Sequence, residues 1–216
     1  MTDLVDPVDL YLVRHGQARA ADGSYDHRTP LSALGRRQAA AVPEALASAG
    51  IAAVYASPAT RAIETAQPLA AAVGLTTQTD ERLLEFEIEG WNPDAEEGQK
   101  GDWQIWRADH RGTPNGETVG AFAQRVSGAF DELVERHAGA AVAVVSHAGT
   151  TDAAIRWAMG MPSDSEWRHD FDLLNASVVE MLVWPRGRHP EGAPRHATIR
   201  RAPNLDHLPA ELRSDF

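Results

Sequence analysis

Cysteine is absent from the 216 residues. That rules out a disulfide framework, a four-cysteine zinc site and a cysteine nucleophile. Lysine is nearly absent: Lys100 is the only one, and every other fixed cation is an arginine. Positive charge is scarce overall, with 20 Lys and Arg against 31 Asp and Glu, for a formal net charge of −11. Such an excess of acid argues against a broad nucleic-acid or anionic-membrane surface, so neither partner is expected. An anionic ligand would need a local cluster of cations. No apolar run reaches about 18 residues, and residues 1–6 lack the basic segment of a secretion signal, so a cytoplasmic location is the expectation. There is no P-loop, no HExxH and no His or carboxylate cluster at ligand spacing, so neither a metal nor another cofactor is expected.

What is present is an alternation of short apolar runs and longer amphipathic ones. Residues 9–13, 51–56 and 140–146 read as buried strands, with a short third strand at 75–78. A strand at 177–184 and an edge strand at 196–201 follow, and the stretch from Pro203 onwards reads as irregular. Helices are expected after Ser32, after Ser57-Pro58 with Ser57 as cap, over 118–135 with Thr118 as cap, and over 150–159. Glycines 50 and 74 close the first two. Strands alternating with helices imply an α/β fold whose largely parallel sheet is covered on both faces. One domain over residues 1–216 is expected, carrying an irregular, lid-like insertion at about 80–117, rich in acids and holding Trp91, Trp103 and Trp106. A tryptophan exposed among the six serves as the anchor of a homodimer as readily as the wall of a pocket.

Three strand ends carry the same chemistry. The first delivers Arg14-His15 and then Gly16, a residue that permits a close backbone approach or a positive φ. The second delivers Ser57-Pro58 with Arg61 in the first turn of its helix, and the strand at 140–146 delivers Ser146-His147-Ala148-Gly149 just before another helix. Ligands of open α/β sheets lie beyond the carboxyl ends of the strands, where helix N-termini add unpaired N–H groups. Two arginines and two histidines at one point would repel each other without an anion. A tetrahedral dianion such as phosphate is the natural occupant. The other histidines, at 27, 110, 137, 169, 189, 196 and 207, have no comparable setting and read as surface residues.

Leu12-Val13-Arg14-His15-Gly16, Leu31-Ser32-x-x-Gly35-x-x-Gln38-Ala39, Ser57-Pro58-x-x-Arg61-Ala62-x-x-Thr65-Ala66 and Val145-Ser146-His147-Ala148-Gly149 resemble the blocks of the histidine phosphatase superfamily, which includes the cofactor-dependent phosphoglycerate mutases. The resemblance runs in order from about Leu10 to Val183. It implies a three-layer α/β/α sandwich with a mainly parallel, mixed central sheet of the phosphoglycerate mutase type. It also implies that His15 is a nucleophile that becomes phosphohistidine, and that Arg14, Arg61 and His147 hold the phosphoryl oxygens. Gly16 and Gln17 join them as candidate phosphate-binding residues, Gln17 as a partial substitute for family side chains missing here. The family's general acid stands in a Leu-x-Glu context, which Leu83-Leu84-Glu85 matches, with Glu87 second and Glu89 further on.

The implied activity is hydrolysis of a small phosphorylated substrate by double displacement without a metal: His15 attacks phosphorus, Glu85 protonates the leaving oxygen, and water then cleaves the phosphohistidine. Two departures alter the substrate side of the pocket. Ala18 and Ala21 stand where many family members carry Ser or Thr and Asn, and the Gly-x-Trp-x-Gly stretch is only hinted at by Gly90-Trp91. Gly116-Glu117-Thr118 resembles the family's Gly-Glu-Ser. A phosphoglycerate-type mutase and a non-catalytic phospho-ligand binder on the same fold are the alternatives.

Overall fold

The computed structural model describes residues 6–21, 25–86, 117–165, 167, 171–189 and 196–214. The lid-like insertion lies almost wholly outside them, and with it Glu87, Glu89 and the tryptophans at 91, 103 and 106.

A six-stranded mixed sheet is flanked by helices on both faces. In chain order the elements are β1 (Val8–Arg14), α1 (Ala33–Ala45), β2 (Ile51–Ala56), α2 (Thr60–Ala72), β3 (Thr77–Thr79), α3 (Val119–Arg136), β4 (Ala141–Ser146), α4 (Ala148–Ala158), β5 (Val178–Val183) and β6 (Ala197–Asn204). Short 3₁₀ turns sit at Glu81–Leu83 and Ala210–Leu212. The spatial order is β3-β2-β4-β1-β5-β6. The first four of these strands run parallel, and β5 and β6 are antiparallel additions beside β1.

The central strands are apolar throughout because they are covered twice. Leu10 and Leu12 of β1, with Val142 and Val144 of β4, point into the core under α3 and α4. Val13, Ala143 and Val145 point the other way, under α1 and α2. That period-2 division of one continuous apolar run is the mark of a strand buried on both faces.

Helix ends follow their local chemistry. The Ser32 hydroxyl accepts from Gly35 N and the Thr118 hydroxyl from Ala121 N, so both expected caps form. Gly74, at φ +70°, and Leu75 close α2, with Leu75 N donating to Ala70 O and Gly74 N to Ala71 O. Leu75 is thus taken by the helix, and β3 starts two residues later than its apolar pattern suggests. Two further expectations are corrected. Helix α2 begins at Thr60, with Ala59 and not Ser57 in the cap position. The stretch after Pro203 also packs rather than trailing away: Leu208 and Leu212 are buried against the α1–α2 side of the core. Four histidines expected at the surface are partly covered, His189, His196, His207 and His137, the last sharing a 2.8 Å hydrogen bond with the Tyr55 hydroxyl. No helix of the described residues is long and apolar enough to cross a membrane.

After β1 the chain locks onto the start of α1. Ser32 N donates to Gln17 O, and Ala18 and Leu31 form an isolated bridge. The contact is so close that a Cβ on Gly35 would lie 1.9 Å from Gln17 O, and one on Gly16 would lie 2.6 Å from Gly35 O. Both obstacles are backbone atoms, so neither can swing aside. Gly16 therefore serves a close approach of two backbone segments and takes no positive φ. Gly35→Ala is expected to destabilise the protein by about 3 kcal/mol, lowering the melting temperature by roughly 10 °C. A thermal melt of the variant within 2 °C of the parent (roughly 1 kcal/mol or less) would mean the two loops are not held this tightly.

Candidate active site

Each residue of the site hangs from the carboxyl end of a parallel strand. Arg14 closes β1 and His15 follows it. His15 N donates to Ser146 O on β4, while His15 O accepts from Ala176 N and from the Asn175 side chain. His147 follows β4 and stands in the N-cap position of α4. Arg61 lies in the first turn of α2, behind β2. Glu85 comes four residues after the Glu81 that opens the 3₁₀ turn behind β3. Parallel pairing in register brings these ends together at one rim of the sheet.

The four basic side chains are buried: Arg14 is 7% exposed, His15 3%, Arg61 3% and His147 1%. A solvated surface role is excluded for each. The guanidinium of Arg61 joins the two imidazoles. Its Nε donates to His15 Nε2 at 3.2 Å, its Nη2 to His147 Nδ1 at 3.3 Å and its Nη1 to Asp26 O at 2.7 Å. The Tyr25 ring lies over it, 4.7 Å from the guanidinium carbon. The two imidazole centroids are 5.1 Å apart, edge to face. Arg14 Nη1 donates to Leu173 O.

These contacts fix both tautomers. His15 Nδ1 lies 2.7 Å from Gly16 O, which can only accept, so the proton is on Nδ1 and Nε2 carries the lone pair. Arginine can only donate, so His147 holds its proton on Nε2, which donates to Ser57 Oγ at 2.8 Å. Burial pushes both imidazoles well below the ordinary histidine range. The Arg61 charge pushes the same way, and for His15 so does that of Arg14. Both rings are therefore neutral at pH 7.

Glu85 completes the group from the β3 side. Its carboxyl accepts from Gly149 N at 2.8 Å and from Phe86 N at 2.9 Å. Burial raises its pKa above the ordinary carboxylate range, with those two N–H groups and then the charges of Arg61 and Arg14 working against the rise. A Cβ on residue 149 would stand 2.5 Å from Glu85 Oε1, so only glycine there leaves room for the carboxyl.

Of the residues singled out from sequence, Arg14, His15, Arg61, His147 and Glu85 converge here. Gly16 and Gln17 turn towards the scaffold instead. Gly16 N donates to Thr65 Oγ1 at 3.0 Å, Gln17 N to Gln38 Oε1 at 2.8 Å, and the Gln17 side-chain oxygen accepts from Ser32 Oγ at 2.7 Å. The alternative acid Glu87 lies outside the described residues. Sequence reasoning gave no role in the site to five contributors. Ser57 orients His147, and its place before Pro58 made it look like a helix cap. Thr65 holds Gly16. Buried Gln38, named above only as part of a family block, reaches Leu212 O and Ser214 Oγ; Ser214 in turn donates to Asn175. A ring of hydrogen bonds thus runs from Gln17 through Gln38, Ser214 and Asn175 back to His15 O.

The arrangement can do one thing well. It presents a bare imidazole nitrogen beside fixed cationic donors, with a buried carboxyl of raised pKa in the same group. Comparison with known proteins points the same way. The histidine phosphatase superfamily (branch 1) matches residues 10–191. An uncharacterized protein of Mycobacterium tuberculosis, Rv0525, is 39% identical over 149 residues, 66% of this chain and 74% of its own length. A probable phosphoglycerate mutase, GpmB, of Yersinia enterocolitica is 31% identical over 175 residues, 74% of this chain and 79% of its own. Among solved structures, a mycobacterial glucosyl-3-phosphoglycerate phosphatase, Rv2419c, in complex with VO3, superposes with a TM-score of 0.70 at 26% identity, covering 89% of this chain and 97% of that one.

Proposed function

The chain belongs to branch 1 of the histidine phosphatase superfamily, and on that footing we propose that it hydrolyses a small phosphomonoester through a phosphohistidine on His15. The observation that carries this reading is the state of the His15 ring. Its Nδ1 proton is held by Gly16 O, so the lone pair on Nε2 faces Arg61, the side from which a bound phosphoryl group would be attacked.

In the first step His15 Nε2 bonds to phosphorus while the ester oxygen departs with the Glu85 proton. Arg14 and Arg61 receive the charge on the phosphoryl oxygens, Arg61 turning its His15- and His147-facing N–H groups onto the phosphate, and His147 joins them by donating only when the bound anion draws a proton onto Nδ1. In the second step Glu85, now a carboxylate, takes a proton from water. That water displaces His15 from phosphorus and releases inorganic phosphate. Burial of Glu85 supports the acid role, because it raises the pKa and so favours the protonated carboxyl that the leaving oxygen requires. The solved phosphatase relative supports hydrolysis.

The relatives named as phosphoglycerate mutases favour a second reading, isomerisation of a phosphoglycerate. Against it stands the charge between Asp80 and Glu117, eleven acids and four bases, which is poorly suited to retaining a second phosphate. Incubation with a panel of phosphomonoesters that includes 2- and 3-phosphoglycerate separates the two. Release of inorganic phosphate is expected. Interconversion of the phosphoglycerates without release would establish the mutase, and binding with neither would leave a phospho-ligand binder.

A further inference from the structure

Arg125, on α3, makes a complete set of contacts. Its Nε donates to Glu117 Oε1 at 2.6 Å and its Nη2 to Glu117 Oε2 at 3.0 Å. Its Nη1 donates to Arg82 O at 2.9 Å and Leu84 O at 2.8 Å, and its Nη2 to Glu85 O at 3.3 Å. A guanidinium has five N–H groups, and here all five meet an acceptor. Three of those acceptors are backbone carbonyls of the 3₁₀ turn and the residues after it that carry Glu85. No sheet ladder or helical bond satisfies these three, so their partner decides where the chain lies.

The surroundings make this a clamp rather than a surface tether. The Arg125 guanidinium lies over the Phe122 ring, 4.7 Å from its centroid, and Phe122 packs on Phe86, the neighbour of Glu85, at 5.5 Å. Thr150 Oγ1 reaches Leu84 O from α4 at 3.2 Å. The backbone at Glu85 is thus fixed from α3, while its carboxyl is fixed by Gly149 at the start of α4.

We propose that Arg125 is a positioning residue for the general acid. It holds the main chain of residues 82–85 so that the Glu85 carboxyl reaches the leaving oxygen. The proposal rests on the reading of Glu85 as that acid. It has a signature that mere loss of fold does not share. An alkyl phosphate needs its leaving oxygen protonated, whereas p-nitrophenolate departs unprotonated. Misplacing the acid therefore harms the alkyl ester selectively.

The test compares kcat/KM, which reports the phosphoryl-transfer step, for an alkyl phosphate such as β-glycerophosphate and for p-nitrophenyl phosphate. Arg125→Met and Arg125→Lys are measured beside Glu85→Gln. Displacement of a reacting group by about 1 Å is worth about 100-fold. Arg125→Met should therefore lower the alkyl value about 100-fold and the aryl value at least tenfold less. Arg125→Lys, which lacks the fork but keeps the charge, should fall between and serves if the methionine variant does not fold. Equal losses on both esters, or no loss, with Glu85→Gln still selective, would overturn the clamp while sparing the acid assignment. A Glu85→Gln variant without selectivity would overturn both.

Discussion

Alanine in place of His15 is expected to lower phosphate release from an aryl ester by at least roughly four orders of magnitude, the scale on which loss of a covalent nucleophile is felt. The reason is positional as well as chemical. Among the described side chains His147 also turns an unprotonated nitrogen, Nδ1, to Arg61, but it meets Nη2 rather than Nε, and its ring is fixed by the Nε2 bond to Ser57. Affinity for inorganic phosphate should survive within about tenfold, because Arg14 and Arg61 are untouched and each charge-assisted contact is worth about 1.5–3 kcal/mol. The protein should also lose its acid-labile phosphoryl adduct, measured after quenching during turnover. Full turnover in the variant would remove His15 as the nucleophile whatever the fold suggests.

Arg61→Ala should cost about 10³-fold in kcat, or about 4 kcal/mol of transition-state stabilisation, at the upper end for one donor removed from an enclosed site. Arg61 orients both imidazoles besides supplying charge, so the loss is more than that of one phosphate contact. The pH profile gives a second readout. The Arg61 charge depresses the His15 pKa, second only to burial. Removing that cation lets the pKa rise, so protonation of His15 sets in at higher pH as the solution is acidified. The acid limb of the residual kcat/KM profile should therefore move to higher pH. A profile that keeps its shape, with a rate near that of the parent, would mean Arg61 does not serve the reacting centre.

Much of this was legible in the chain itself. The apolar runs of β1, β2 and β4 stand out because both faces of each strand are covered, and the amphipathic helices and two of the three expected serine or threonine caps follow local rules. The convergence of Arg14, His15, Arg61 and His147 was legible too, since they stand at the ends of parallel strands that share one rim, whereas Glu85 was picked out by the family resemblance. What stayed hidden depends on partners distant in sequence. Ser57 has a local reading as a cap, and nothing nearby reveals that its hydroxyl goes to His147. Gly16 has a local reading as a ligand contact, yet the group crowding it is the backbone of Gly35. Arg125 and the Gln38–Ser214–Asn175 ring leave no periodic trace, because their acceptors are carbonyls and side chains brought together only by the completed fold.

The strand order carries a consequence for how the protein is made. Strand β1 is the first to leave the ribosome and the fourth across the sheet, with β4 on one side and β5 on the other. Its neighbours are synthesised long after it, so the polypeptide holding His15 must wait as an unpaired apolar segment while helices α1 to α3 emerge. Contacts so distant along the chain slow folding and lengthen the interval in which such a segment can stick to others. Production of this enzyme should therefore respond strongly to chaperone supply and to lowered growth temperature. Cutting the gene before β5 should yield aggregate rather than a weakened catalyst.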